Sequence, residues 1–191
     1  IRRTSDSDLD GGSGDDLDYT AESDMNLYQL SSKIDNSKGF TNFTFSRTEY
    51  DREYVNGTEI DTYDSTSNTY ILTNTLLKSN FDITPGIEYE YFDGSFNNTG
   101  SYTAKVDTDG ENVGYFVNGN MIVSDKFLVS AGVRQDDPSL FGKYTTYRLG
   151  GTYDLTGALK LKSNYATSVK TPTLYEMHGS DSYGYNGNPN L

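Results

Sequence analysis

Apolar and polar residues alternate with a period of two over much of the chain. From Phe127 to Arg134 one face carries Phe127, Val129, Ala131 and Val133, and the other Ser130, Gly132 and Arg134. From Thr145 to Leu155 the faces are Tyr147, Leu149, Gly151, Tyr153 and Leu155 against Thr146, Arg148, Gly150, Thr152 and Asp154. Leu159, Leu161 and Tyr165 oppose Lys160, Lys162 and Asn164. Ile83, Pro85, Ile87, Tyr89 and Tyr91 oppose Glu88 and Glu90, and Tyr115, Val117, Met121 and Val123 oppose Asn118 and Asn120. Such a period marks a β-strand whose two faces meet different surroundings. Turn clusters at 35–39, Asn56-Gly57, Ser79-Asn80, 97–100, 107–110, Asp136-Asp137-Pro138 and Thr156-Gly157 interrupt it. The pattern predicts eight strands, roughly 24–34, 39–53, 65–79, 82–95, 112–124, 126–136, 143–155 and 158–168, with a partial strand over 1–6. Short turns alternate with long polar loops, expected over 7–23, 54–64, 96–111, 136–142 and 169–191.

These strands are about twice the ordinary length of 5–6 residues. A tilted strand of ~10 residues crosses an apolar band ~25 Å tall. Full charges at Glu88, Glu90, Arg134, Arg148, Lys160 and Lys162 stand within strands, on the polar face. That face suits a wet or plugged lumen, and the apolar face suits lipid. Tyr89, Tyr91, Tyr147, Tyr153 and Tyr165 lie near strand ends, where interfacial girdles sit. The expected fold is all-β, an antiparallel up-and-down transmembrane β-barrel, here an incomplete section of about eight strands in one domain over residues 1–191. Two other readings stay open at this point. A passive channel or self-contained eight-strand barrel would pair 24–33 with 159–167. A soluble β-rich adhesin or carbohydrate-binding module would bury an apolar core between two sheets.

Composition then narrows the chemistry. The 191 residues hold no cysteine and one histidine, His178, so thiol chemistry is excluded. A net charge of −13 repels phosphate backbones, which makes nucleic acid an unsuitable partner. No carboxylate pair has a catalytic spacing, and no enzyme activity is expected. Mean hydropathy is −0.69, as follows when half of each strand and all the loops are polar. The first twenty-four residues hold eight acids; among them Asp8, Asp10, Asp15 and Asp16 stand beside glycines and offer oxygen ligands to calcium, with a solvated acidic loop as the alternative. No other cofactor is expected. The chain opens IRRTSDSD, without an initiator methionine or a signal segment, and is expected to be a section of a longer protein.

The last sixty residues carry an ordered set of short motifs. Gly132-Val133-Arg134 precedes Asp136-Asp137, then come Thr146 to Gly150, Asn164-Tyr165-Ala166-Thr167, Lys170-Thr171-Pro172-Thr173-Leu174-Tyr175-Glu176 and Gly187-Asn188-Pro189-Asn190-Leu191. Leu27 to Leu30, Phe45-Ser46-Arg47 and Gly86 to Tyr89 extend the pattern upstream. Together they resemble the barrel of TonB-dependent outer-membrane receptors, with Val169 and Thr171 departing from the family's usual aromatic and alanine.

The resemblance implies a bacterial outer-membrane protein that takes up a scarce small-molecule nutrient such as vitamin B12 or an iron–siderophore complex. Its implied partners are outer-membrane lipid, a plug domain and a TonB-type energy-transducing protein. Glu88, Glu90, Arg134, Arg148, Lys160 and Lys162 would face the lumen, offset one another and contact the plug. Tyr175, Tyr183 and Tyr185 offer rigid amphipathic area for ligand contact, with loop packing the alternative. Pro172, Gly187, Asn188 and Pro189 are expected to shape an outer loop, since proline fixes φ and ends ladder pairing.

Overall fold

The computed structural model describes residues 2–11, 14–99 and 103–191, and the side chains of all of these except residues 6, 8–11 and 14–17. Nine strands form one antiparallel sheet in chain order: β1 (Arg2–Gly11), β2 (Gly14–Asn36), β3 (Gly39–Asn56), β4 (Glu59–Leu77), β5 (Phe81–Asn98), β6 (Ala104–Ser124), β7 (Phe127–Pro138), β8 (Tyr144–Thr156) and β9 (Leu159–Ala166). A short helix α1 (Leu174–His178) and a two-residue strand β10 (Ser180–Asp181) follow, and β10 pairs with β6.

The register turns the sequence alternation into two continuous faces. Phe45 pairs with Tyr70, Tyr70 with Tyr89, Ile87 with Tyr115, Val117 with Val133, Val133 with Tyr147 and Leu149 with Tyr165. One face is thus an unbroken apolar band, and it is bare. Leu30, Leu72, Leu149, Leu161 and Tyr165 are all exposed. Tyrosines line one border, with Tyr70 against Phe45 at 4.9 Å and Tyr147 against Tyr165 at 6.1 Å between ring centres. Phe127 and Tyr153, 6.2 Å apart, mark the other border.

The sheet is open, with β1 and β9 at opposite edges. Among the described residues no ladder joins 24–33 to 159–167, so the register of a self-closed eight-strand barrel is absent. A sandwich core is absent as well. The buried apolar side chains among the described residues are Ala21, Ala104, Val106 and Met177, far short of the packed interior that a soluble domain of this length needs.

The expected long loops need correction. Most of 7–23, 54–64 and 96–111 continues the neighbouring strands as tall hairpins, and β2 alone runs for 23 residues. Ladder pairing proceeds there without apolar alternation because both faces meet water, which hides the strand period from a hydrophobicity reading. Asn56-Gly57 marks a tight hairpin rather than the start of a loop: Asn56 pairs with Glu59, and Gly57 takes the positive φ of +59° that such a turn requires. The segment after β9 likewise holds α1 and β10 instead of an unstructured loop.

Candidate functional site

The polar face carries a charge cluster built across β5, β6 and β7. Arg134 donates to Glu88 at 2.7 Å and to Asp136 at 2.7 Å, and Asn112 donates to Asp136 at 2.9 Å. Asp136 is almost fully buried. Gly114 makes the cluster sterically feasible, since a Cβ there would collide with the Arg134 guanidinium. Gly132 leaves the same room for Asn118, with Arg148 close beside it, and Gly86 does so for Phe116. The other polar-face residues are engaged differently. Glu90 accepts from Ser67 at 2.7 Å, and Lys160 meets Asp154 at 3.1 Å rather than Glu88 or Glu90. Among the described residues Arg148 and Lys162 have no carboxylate within ion-pair distance.

Beyond β9 the chain turns back over this face. Thr167 donates its backbone N–H to Tyr147 at 2.9 Å, and Thr173 then caps α1. The Thr173 hydroxyl accepts from the Glu176 amide at 3.2 Å, while the Glu176 carboxylate accepts from the Thr173 amide at 2.7 Å. That backbone hydrogen bond, seconded by the Thr173 side chain, holds the Glu176 carboxyl below its ordinary pKa. Met177, on the inner side of α1, is fully buried and lines a cleft with Pro172, Pro138, Leu140 and Phe92. β10 pairs with Ala104 and Lys105, so the segment is stitched to the β5–β6 hairpin. Gly187 donates to Gly179 at 2.7 Å and Asn188 to Glu176 at 2.9 Å. A Cβ on Gly187 would strike the backbone of Met177. Pro172, at the entry to α1, and Gly187-Asn188-Pro189, at its exit, therefore bracket the helix.

Tyr175 and Tyr185 stack face to face, 5.0 Å apart and within 2° of parallel, whereas Tyr183 points into solvent. Asp181 organises the turn, accepting from Tyr175 Oη at 3.1 Å and from the Tyr183 and Tyr185 amides at 2.9 Å. The stack does not end there. Phe96 meets Tyr175 edge-on at 6.4 Å and stacks on Tyr63 at 4.5 Å; Tyr63 meets Tyr54 at 5.9 Å, and Tyr54 meets Tyr19 at 6.5 Å. Arg52 lies over the Tyr54 ring at 4.3 Å. An open cleft of about 590 Å³ lies along this row, lined by Tyr50, Tyr63, Phe96, Leu174 and Tyr175. The hairpin aromatics escape the loop reading of 54–64 and 96–111. Their period of two at Tyr50, Arg52 and Tyr54 is the signal that finds them.

The acids sort by strand too. Asp24, Asp51 and Asp64 lie in cross-strand register on the other face of the tall hairpins. Burial first, and then the facing Asp64, raise the Asp51 pKa. The backbone places Asp8, Asp10, Asp15 and Asp16 at the tip of the β1–β2 hairpin, but their side chains lie outside the described residues. Among the described residues no three His, Asp or Glu side chains are grouped to hold a metal ion.

The family model for the TonB-dependent receptor-like β-barrel matches residues 2–191. A curated relative, the vitamin B12 transporter BtuB of Photobacterium profundum, is 28% identical over 195 residues, covering 95% of this chain and 30% of its own length. The chain thus spans less than a third of that relative. The bare apolar band and the charged opposite face agree with a family match along almost the whole chain, and this chain belongs to the TonB-dependent receptor-like β-barrel family.

Proposed function

We propose that the chain is a section of the wall of an outer-membrane receptor for energy-coupled uptake of a scarce nutrient, with vitamin B12 ahead of iron–siderophore complexes. The single observation that carries the nutrient-binding part is the aromatic row from Tyr54 to Tyr185. It faces the same side as the charge cluster and lies on the tall-hairpin half of the sheet. In barrels of this kind longer connections face outward and short turns face the periplasm. The row therefore stands at the outer mouth, where rigid tyrosine and phenylalanine faces give a planar ligand contact area at low entropic cost. Similarity to a B12 transporter supports the choice of ligand.

Below the mouth, Glu88, Glu90, Arg134, Arg148, Lys160 and Lys162 line the lumen. Arg148 and Lys162 are the groups best placed to pair with carboxylates of a plug, because neither has one within reach among the described residues of the wall. A TonB-type partner then acts through the plug of the full-length receptor.

The test uses the full-length receptor and radiolabelled cyanocobalamin. Phe96→Ala with Tyr175→Ala is expected to weaken binding by about tenfold or more, on an order of 1–3 kcal/mol for lost stacking and packing. Tyr183→Ala should leave it unchanged. Binding of a ferric siderophore without binding of cobalamin would overturn the ligand assignment.

A further inference from the structure

We infer that the short-turn rim of this wall is a docking surface for anionic glycerophospholipid. The inference rests on the outer-membrane reading above, which puts that rim at the periplasmic leaflet. Each of the first three short turns presents one lysine: Lys38 between β2 and β3, Lys78 between β4 and β5, and Lys126 between β6 and β7. All three are exposed, and among the described residues none has a carboxylate within ion-pair distance. Most carboxylates of the same rim are engaged. Asp35 holds Lys33 at 2.8 Å, Asp154 holds Lys160, and Asp82 accepts from Asn120 at 3.0 Å. The turn residues 37–38, 78–80, 125–126 and 157–158 carry three lysines against one aspartate, Asp125, in a chain of net charge −13. The acidity belongs to the other end.

The turns are tied into one array. Leu77 donates its N–H to the Lys38 carbonyl at 2.7 Å, Ile122 to Asn80 at 2.7 Å, and Asp154 to Lys126 at 2.8 Å. Strand spacing then sets neighbouring lysines about 10 Å apart along the rim. Bare aliphatic or aromatic side chains flank each one: Ile34 near Lys38, Leu77 and Phe81 beside Lys78, Ile122 and Val123 beside Lys126. An ammonium above exposed apolar side chains matches a phosphate head group above acyl chains. A net negative head group adds the attraction that juxtamembrane lysines gain at an anionic surface.

The experiment uses the full-length receptor in bilayers of mixed phosphatidylglycerol and phosphatidylcholine, extracted in mild detergent, with retained lipids counted by native mass spectrometry. The expected result is a preference for phosphatidylglycerol of roughly fivefold at each site. The preference should fall at high salt, since the sites are exposed. K38Q/K78Q/K126Q should abolish it, and K38R/K78R/K126R should retain it. Heat-modifiable gel mobility reports the fold of each variant, and the salt dependence of the wild-type protein tests the same point without a variant. No preference in the wild type, or a preference that the glutamine variant keeps, would overturn the inference while leaving the transport reading intact. A receptor recovered outside the outer-membrane fraction would overturn both.

Discussion

Arg134 is the residue on which the charge cluster of the polar face turns. It sits between two carboxylates, and Gly114 opposite has no side chain to obstruct it. Removing one member of a half-buried pair leaves the other charges uncompensated, so Arg134→Ala should lower stability by about 1–3 kcal/mol. Gly114→Val should cost as much by displacing the guanidinium. Urea unfolding of the full-length receptor in liposomes measures both, and a double-mutant cycle with Glu88→Gln should show strong coupling. Glu176 gives a pH-dependent counterpart. Its folded pKa lies below the unfolded value, so its contribution to the α1 cap is complete above the unfolded value and is lost as pH falls through the folded one. The Thr173 amide resonance should follow that transition, and should stay flat over the same range in Glu176→Ala. The sequence puts Glu88, Arg134 and Arg148 on the polar faces of three separate strands. Which of them meet is decided by the register, and period alone cannot supply it: Glu88 and Arg134 are 46 residues apart.

Elements were legible in proportion to the contrast between their two faces. β7 and β8 sit within a residue or two of their expected bounds because lipid-facing Val129, Leu149 and Tyr153 alternate with Ser130, Arg148 and Thr152. The tall halves of β2 to β6 were not legible, because Thr, Ser and Asp fall on both faces where both are wet. Helix α1 was hidden for another reason: five residues are too few to show a 3.6-residue period. Its capping box, Thr173 and Glu176 three apart, is the signal that was present. The segment from Thr167 to Leu191 depends on one buried anchor. Met177→Ala should free it at a cost of about 2–4 kcal/mol, local to the segment. Amide exchange should quicken across 173–188 and stay unchanged in β7 and β8.

At the scale of the whole molecule, an open sheet with a bare apolar face cannot be stable in water. Its edges at β1 and β9 and its band of exposed Leu, Val and Tyr would aggregate, so these residues expressed alone without detergent should not give a monodisperse monomer with a cooperative melt. In the proposed receptor, lipid on one side and a filled lumen on the other would satisfy both faces, and ladder bonds satisfy the backbone. Across the membrane-spanning part of each strand, one face is therefore expected to meet lipid and the other water. This stretch of chain has no cysteine, so single cysteines from Thr146→Cys to Asp154→Cys in the full-length receptor can carry nitroxide labels in bilayers. Labels at 147, 149, 151 and 153 should be relaxed by oxygen and shielded from a water-soluble nickel chelate. Those at 146, 148, 150, 152 and 154 should show the reverse. Equal exposure of both sets to the chelate, or the opposite alternation, would contradict the account.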